Sequence, residues 1–261
     1  MKLSKLSCNL KLNIKALFAM TLIIQIFNLT SLFAAENWSS ETDAGVVVNS
    51  GNADSQSVSL KTLEKYKLTK SDELAFRGEY FQSQGQVNGS TALTSENSLA
   101  EIKYNRVFHE MFGGFVVTTW SKDNFRGFEN RFEVGPGASY HFIKSDAKNF
   151  FTEQGYLYRQ ETGYLKGPAS GATNDINFYR SYFEVNAKLN PTLSGKVWLE
   201  SKLNVEETED IEARVEPSLS VMLSGNFSLG LAYRYSFDNV PAVAGLKRVD
   251  TMYMTTLKAK F

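Results

Sequence analysis

Between residues 128 and 142 the chain alternates. Phe128, Asn130, Phe132, Val134, Pro136, Ala138, Tyr140 and Phe142 fall on one parity, and Glu129, Arg131, Glu133, Gly135, Gly137, Ser139 and His141 on the other. Side chains of a β-strand point alternately to opposite faces, so this segment has an apolar face with aromatic ends and a charged or small face. The period returns downstream. Leu193, Gly195, Val197, Leu199, Ser201 and Leu203 oppose Ser194, Lys196, Trp198, Glu200, Lys202 and Asn204. Ile211, Ala213, Val215, Pro217, Leu219 and Val221 oppose Glu212, Arg214, Glu216, Ser218 and Ser220. The pattern predicts strands at 38–48, 55–66, 73–82, 93–105, 112–120, 127–142, 150–161, 176–189, 192–204, 211–222, 227–237 and 248–261. The first, second, fifth and seventh do not settle their phase. No segment sustains apolar residues at three-and-four spacing, so a helical fold is not expected.

The connections carry independent information. Those after even-numbered segments are short: 67–72, 106–111, 143–149, 190–191 and 223–226. Several after odd-numbered segments are longer and rich in Gly, Ser, Asn and Pro: 83–92, 162–175 and 238–247. Short turns at one end, long loops at the other and an even strand count predict an all-β chain. The expected architecture is a transmembrane antiparallel up-and-down β-barrel of about twelve strands, in the outer membrane of a Gram-negative bacterium, with both termini periplasmic. A soluble sandwich also alternates, but its aromatics would be core residues. Here Phe128 and Phe132 fall toward one rim and Tyr140 and Phe142 toward the other, the headgroup levels that aromatic rings favour. No polar patch is visible at the lipid-facing positions. Pro136 falls on the lipid face, where its missing donor is a cost that a bulge would absorb. Gly135 and Gly137 fall mid-strand on the inner face, where they relieve crowding in a narrow lumen.

The start of the chain fits this reading. Lys2, Lys5, Lys11 and Lys15 precede an apolar run at 16–27 and small residues ending in Ala34-Ala35. Residues 1–35 are therefore expected to be a signal peptide and 36–261 the barrel. The apolar run is shorter than the ~20 residues a spanning helix needs. Removal of 1–35 would take four of the 28 basic residues and none of the 28 acids, leaving a net charge of −4. No basic patch argues for nucleic acid. Cys8, the single cysteine, would leave with the signal, which excludes disulfides and thiolate chemistry from the mature chain.

Counting back by twos from Phe261 gives Ala259, Leu257, Thr255, Tyr253, Thr251 and Val249. Tyr253, Leu257 and Phe261 match the closing-strand signal read by the outer-membrane assembly machinery, a partner that acts by strand addition. Three further motifs carry a family likeness. They are Ser50-Gly51-Asn52 followed by Asp54-Ser55, then Gly135-Pro136-Gly137 with Tyr140 three residues on, then Glu153, Gly155, Tyr158 and Glu161. With them the chain resembles the outer-membrane family catalogued as domain of unknown function 481, described as salt-induced outer membrane proteins. The resemblance implies an outer-membrane barrel and no established biochemistry.

The inner-face parity supplies the lumen-lining candidates: Glu129, Arg131, Glu133, Arg180, Glu184, Lys196, Glu200, Glu212, Arg214, Glu216 and Arg234. Acids and bases are mixed, whereas a selective pore would show one dominant sign. The expected function is a non-enzymatic barrel, either a narrow small-solute channel or a structural barrel of the stressed envelope, in contact with outer-membrane lipids and lipopolysaccharide. The alternative is a lipid-acting, phospholipase-like enzyme using Ser139 and His141, two residues apart on one face. No third catalytic member is identifiable nearby, so catalysis is not expected. His109 and His141 are the two histidines, and no cofactor or metal is expected. The acidic loop residues Glu206, Glu207, Glu209 and Asp210 are read as a solvated surface.

Overall fold

The computed structural model describes residues 37–49, 55–87, 90–163, 171–241 and 246–261. The expected signal peptide, the Ser50-Gly51-Asn52 turn and Asp54 lie outside the described residues. The described chain forms twelve strands: β1 (Trp38–Asn49), β2 (Ser55–Lys67), β3 (Asp72–Val87), β4 (Ser90–His109), β5 (Phe112–Asp123), β6 (Phe128–Lys144), β7 (Lys148–Gly163), β8 (Thr173–Lys188), β9 (Leu193–Asn204), β10 (Ile211–Met222), β11 (Phe227–Asp238) and β12 (Val249–Lys260). Each pairs antiparallel with its sequence neighbours, and β12 returns to β1, closing the barrel. Alternation decides which way each strand faces. On β9, Trp198 is buried inside while Val197 and Leu199 are exposed outside. Exposed rings gather on the outer surface at the end that carries the termini. Tyr140 meets Phe142 at 5.2 Å, Phe142 stacks on Phe150 at 4.6 Å, and Trp38 lies 6.0 Å from Tyr66.

Several expectations need correction. The segment 83–92 is not a long loop. β3 runs on to Val87 and β4 begins at Ser90, with Gln84 opposite Leu93 and Gln86 opposite Thr91 across a bulge at Ser83/Gln84. Its Ser, Gln and Thr residues look like loop composition because the hairpin carries a polar surface, yet its backbone groups are paired. β4 likewise continues to His109, which pairs with Phe112, so the turn expected at 106–111 shrinks to Glu110-Met111. Phe128 is not on the outer face. A register shift between Phe128 and Asn130 makes Glu129 the extra residue, and one extra residue reverses the phase on either side of it. Phe128 is therefore buried inside the barrel, with the Arg131 guanidinium 3.9 Å from its ring centre.

Pro136 is not accommodated by a bulge. The β6–β7 ladder passes from Val134↔Tyr158 to Gly137↔Gly155 in unbroken register, skipping Gly135 and Pro136. The ladder between β10 and β11 skips Glu216 and Pro217 in the same way. A proline lacks the N–H of its rung, so the wall loses a rung and keeps its register. The glycines beside Pro136 are dictated by space. A Cβ on Gly135 would stand 1.8 Å from the Tyr156 carbonyl oxygen, and one on Gly137 would stand 2.2 Å from the Phe115 ring. The outer surface also carries the polar patch that the sequence did not reveal. On β7 and β8, the Ser181 and Tyr179 hydroxyls donate to Gln154 Oε1 at 2.7 and 2.8 Å, and the Tyr156 hydroxyl donates to Asn177 Oδ1.

One seam is incomplete. β1 and β12 share four register pairs, Glu41↔Lys260 to Ala44↔Leu257, next to two backbone hydrogen bonds between Ser40 and Phe261. Among the described residues, β1 residues 45–49 pair only with β2, and the β12 residues beside them, 252–256, only with β11.

The tight contacts predict a steep steric penalty on β6. Gly135→Ala, whose new methyl meets a backbone carbonyl, should cost about 3 kcal/mol or more, the upper range for overpacking. Ala138→Gly on the same strand should cost about 1 kcal/mol or less, near the ordinary cost of strand glycine. Urea titration of the refolded barrel, followed by heat-modifiable gel migration, measures both.

Candidate functional site

The charged inner face is assembled as ion pairs that reach across strands. Arg159 on β7 is its centre and is almost fully buried. Its Nε donates to Glu133 at 2.8 Å, and its terminal nitrogens donate to the two oxygens of Glu212 at 2.7 and 3.0 Å. Lys202 donates to both Glu133 oxygens at 2.8 and 2.7 Å. Arg131 donates to Glu161 at 2.6 Å and lies 3.5 Å from Glu212. Two more groups adjoin this one. Arg180 bridges Glu200 at 2.6 Å and Glu153 at 3.0 Å, and Lys103 also donates to Glu153. Arg234 bridges Glu216 at 2.6 Å and Glu79 at 3.4 Å, while Arg77 pairs with Glu101 at 2.8 Å.

Strand spacing shows what these pairs do. Adjacent strands lie about 4.8 Å apart, so β3 and β11, four strand-steps apart through β2, β1 and β12, are separated by roughly 19 Å along the wall. The contact between Arg234 and Glu79 therefore spans the lumen rather than following the wall. Arg159 to Glu212 joins β7 to β10, and Lys103 to Glu153 joins β4 to β7, in the same manner. Apolar side chains fill part of the interior. Phe115, Val117, Leu157 and Phe178 form a buried cluster, and Arg159 stands 4.2 Å over the Phe178 ring. Nearer the terminal end, inward rings form a row in which His141–Phe151, Phe151–Tyr182 and Tyr182–Trp198 are 5.2, 5.9 and 6.1 Å apart. Toward the opposite end lies a cavity of about 610 Å3, bounded by Arg77, Glu101, Arg131, Arg214, Arg234 and Asp250 among others.

Most of the candidates meet here. Arg131, Glu133, Arg180, Glu200, Glu212, Glu216 and Arg234 belong to the groups above, and Glu184 pairs with Lys196 at 2.8 Å. Arg214 lines the cavity but has no ion-pair or hydrogen-bond partner among the described residues. Glu129 is not brought in. It is the extra residue of the bulge and has no ion-pair partner among the described residues. Tyr253, Leu257 and Phe261 are all exposed on the outer surface, with Phe261 6.5 Å from Phe227.

The sequence reading missed Arg159, Glu153, Glu161, Lys103, Arg77 and Glu79 as members of the network. Arg159, Glu153 and Glu161 share one parity with Leu157. That signal was masked because the opposite parity of β7 is Thr152, Gln154, Tyr156, Tyr158 and Gln160, itself polar.

Ser139 and His141 share an inner face, but no hydrogen bond joins them among the described residues. His141 Nδ1 is 3.0 Å from Asn149 Oδ1, and its ring packs on Phe151. No group of three or more His, Cys, Asp or Glu residues among the described residues is placed to hold a metal. The acidic loop after β9 is organised by Asn204, whose side-chain oxygen accepts the backbone N–H of Glu206 at 2.9 Å and whose amide donates to Asp210 at 3.0 Å. Burial pushes the Asp210 carboxyl above the usual carboxylate range, against the hydrogen bond from Asn204 that lowers it.

Removing one member of a buried ion pair strands its partners, so Arg159→Ala should destabilise the barrel by about 3–5 kcal/mol. Glu129→Ala should change stability by less than about 0.5 kcal/mol. Parallel urea unfolding of the two variants in micelles tests the contrast; equal effects would refute the central role of Arg159.

Comparison with known proteins agrees with this architecture. An outer-membrane channel from Pseudomonas putida F1 aligns at 12% identity with a TM-score of 0.51, covering 86% of this chain and 94% of that one. The translocator domain of the autotransporter NalP from Neisseria meningitidis aligns at 10% identity with a TM-score of 0.49, covering 94% and 96%. The KdgM porin aligns at 9% identity with a TM-score of 0.47, covering 85% and 99%. At 12% identity the likeness to the Pseudomonas putida channel is one of fold. A search of curated proteins finds no match. Residues 42–261 match the family described as protein of unknown function, DUF481, and the chain, a closed twelve-stranded antiparallel barrel, belongs to that family.

Proposed function

We propose that this protein is a non-enzymatic barrel of the Gram-negative outer membrane, with both termini in the periplasm, and that it works as a narrow, gated small-solute channel of weak ion selectivity. The observation that carries this reading is the set of ion pairs spanning the lumen, Arg159 to Glu212, Lys103 to Glu153 and Arg234 to Glu79. They obstruct the axis with charge of both signs, which gives a small solute no uniform field to follow. Ion pairs are also removable obstructions. Each can exchange its partner for water or a passing ion, whereas a packed apolar core cannot. The outer surface meets lipid along the strands and lipopolysaccharide at the long-hairpin end, and no cofactor takes part.

The density of pairing favours one second reading, a barrel that is permanently closed and serves the envelope structurally. Conductance of the purified barrel in a planar bilayer separates the two. The channel reading expects brief, small steps from the wild type, and longer and larger ones from Arg159→Ala and from Glu79→Ala. A silent bilayer for all three, with folding confirmed by gel migration, would establish the closed barrel instead.

Assembly is proposed to depend on the closing strand, where Phe261 lies on the outer surface beside Phe227. Deleting Phe261 should lower the folded fraction in outer membranes several-fold without lowering synthesis, as measured by the heat-modifiable band.

A further inference from the structure

The incomplete seam between β1 and β12 is unusual for a wall surrounded by hydrocarbon. Backbone groups in a bilayer must be satisfied, which is why membrane barrels close. Here the ladder ends at Ala44↔Leu257. Just beyond it β12 presses close to β1, where a Cβ on Gly45 would stand 2.7 Å from the Thr255 carbonyl oxygen. From there, residues 45–49 of β1 and 252–256 of β12 face one another without register pairs.

Two further features lie at this height. The cavity wall includes Met252, opposite Asn49 in the continued register, so the unpaired edge of β12 borders the cavity. Arg214, which among the described residues has no carboxylate within ion-pair distance although Glu200 stands opposite it on β9, lies in the transverse row two residues further along β12. Arg214 is opposite Ser236, and Ser236 is opposite Asp250. Two strand spacings put Arg214 about 10 Å from the edge of β12. Phe81, Phe237 and Met252 stand among the charged groups of the cavity wall. On the outer surface the slit is flanked by Val46, 56% exposed, and Tyr253, 80% exposed.

We propose that the unpaired part of the β1–β12 seam is a lateral portal, through which a single-chain amphiphile with an anionic head reaches the cavity and is held by Arg214. The guanidinium fork matches a carboxylate or a phosphate, and every other inner-face arginine already has a carboxylate partner. The tail has an apolar exit between Val46 and Tyr253, toward lipid. Water from the cavity satisfies the edge groups while the portal is empty. Asp250, 3.9 Å from Arg126, sets the polar upper limit of the opening. The proposal rests on the membrane placement above but not on axial conduction.

The test uses the purified barrel in nanodiscs of zwitterionic phospholipid, titrated calorimetrically with dodecanoate, dodecyl phosphate and the neutral dodecyl maltoside. At least one anionic probe should bind near one per barrel and at least about tenfold more tightly than the neutral one. The tighter of the two anions identifies the head group as carboxylate or phosphate. Arg214→Gln should bring anion binding down to the neutral level, and Arg214→Lys should recover part of it. Continuing the register sets Val46 opposite Thr255. In a Cys8→Ser background, an oxidised Val46→Cys/Thr255→Cys pair should therefore abolish the preference, and reduction should restore it. Val46→Trp, which fills the slit without redox chemistry, should reproduce that loss. Equal binding of the three probes, or anion binding indifferent to Arg214→Gln and to Val46→Trp, would overturn the portal. A barrel that fails to enter the discs at all would instead sink the membrane placement, which keeps the two failures distinct.

Discussion

Where this narrow barrel is filled, its inner charges meet opposite charges from other strands, because the packed interior offers them neither bulk water nor a second layer of protein. The rest of this structure follows from that constraint. Arg159 is held by Glu133 and Glu212, Glu133 is shared with Lys202, and Glu212 is shared with Arg131. Partners on β6, β9 and β10 can converge on one residue of β7 only across the enclosed space. Desolvating this many charges is costly, and multidentate geometry offsets that cost. Such a network also fixes how the strands stand relative to one another, since a slip of one residue would turn every charge on a strand to the outer face.

The same network divides the interior along its length. Toward the terminal end, His141, Phe151, Tyr182 and Trp198 occupy the inner face as a row of rings. In the middle, Phe115, Val117, Leu157 and Phe178 pack beneath the Arg159 guanidinium. The opposite end keeps a cavity, in whose wall Arg126 contacts Asp238 and Asp250. The barrel is thus packed at one end, ion-paired in the middle and hollow at the other. Its least paired stretch of wall adjoins the hollow part.

How much of this was legible in the sequence differs from element to element. Chain alternation determined the all-β class, the twelve strands and most of their limits, since β10 spans the residues its pattern predicts and β9 begins one residue later. It also determined that Arg131, Glu133, Arg180, Glu200, Glu212 and Arg234 share the inner surface, because a period of two assigns a face wherever the two parities differ in polarity. It did not settle β7, where both parities are polar and Arg159 went unnoticed. Nor did it reveal the shift at Glu129, because an inserted residue leaves composition unchanged and moves only the phase.

What the tertiary structure alone decided concerns pairs far apart in the chain. That Arg234 meets Glu79, that Arg214 forms no close ion pair with the Glu200 opposite it and that the β1–β12 ladder stops at Ala44 are outcomes of how the closed sheet curves. A strand pattern specifies which face a side chain takes and says nothing of how far away the opposite wall stands. That distance follows from strand number and tilt together, and it exists only once the barrel has closed.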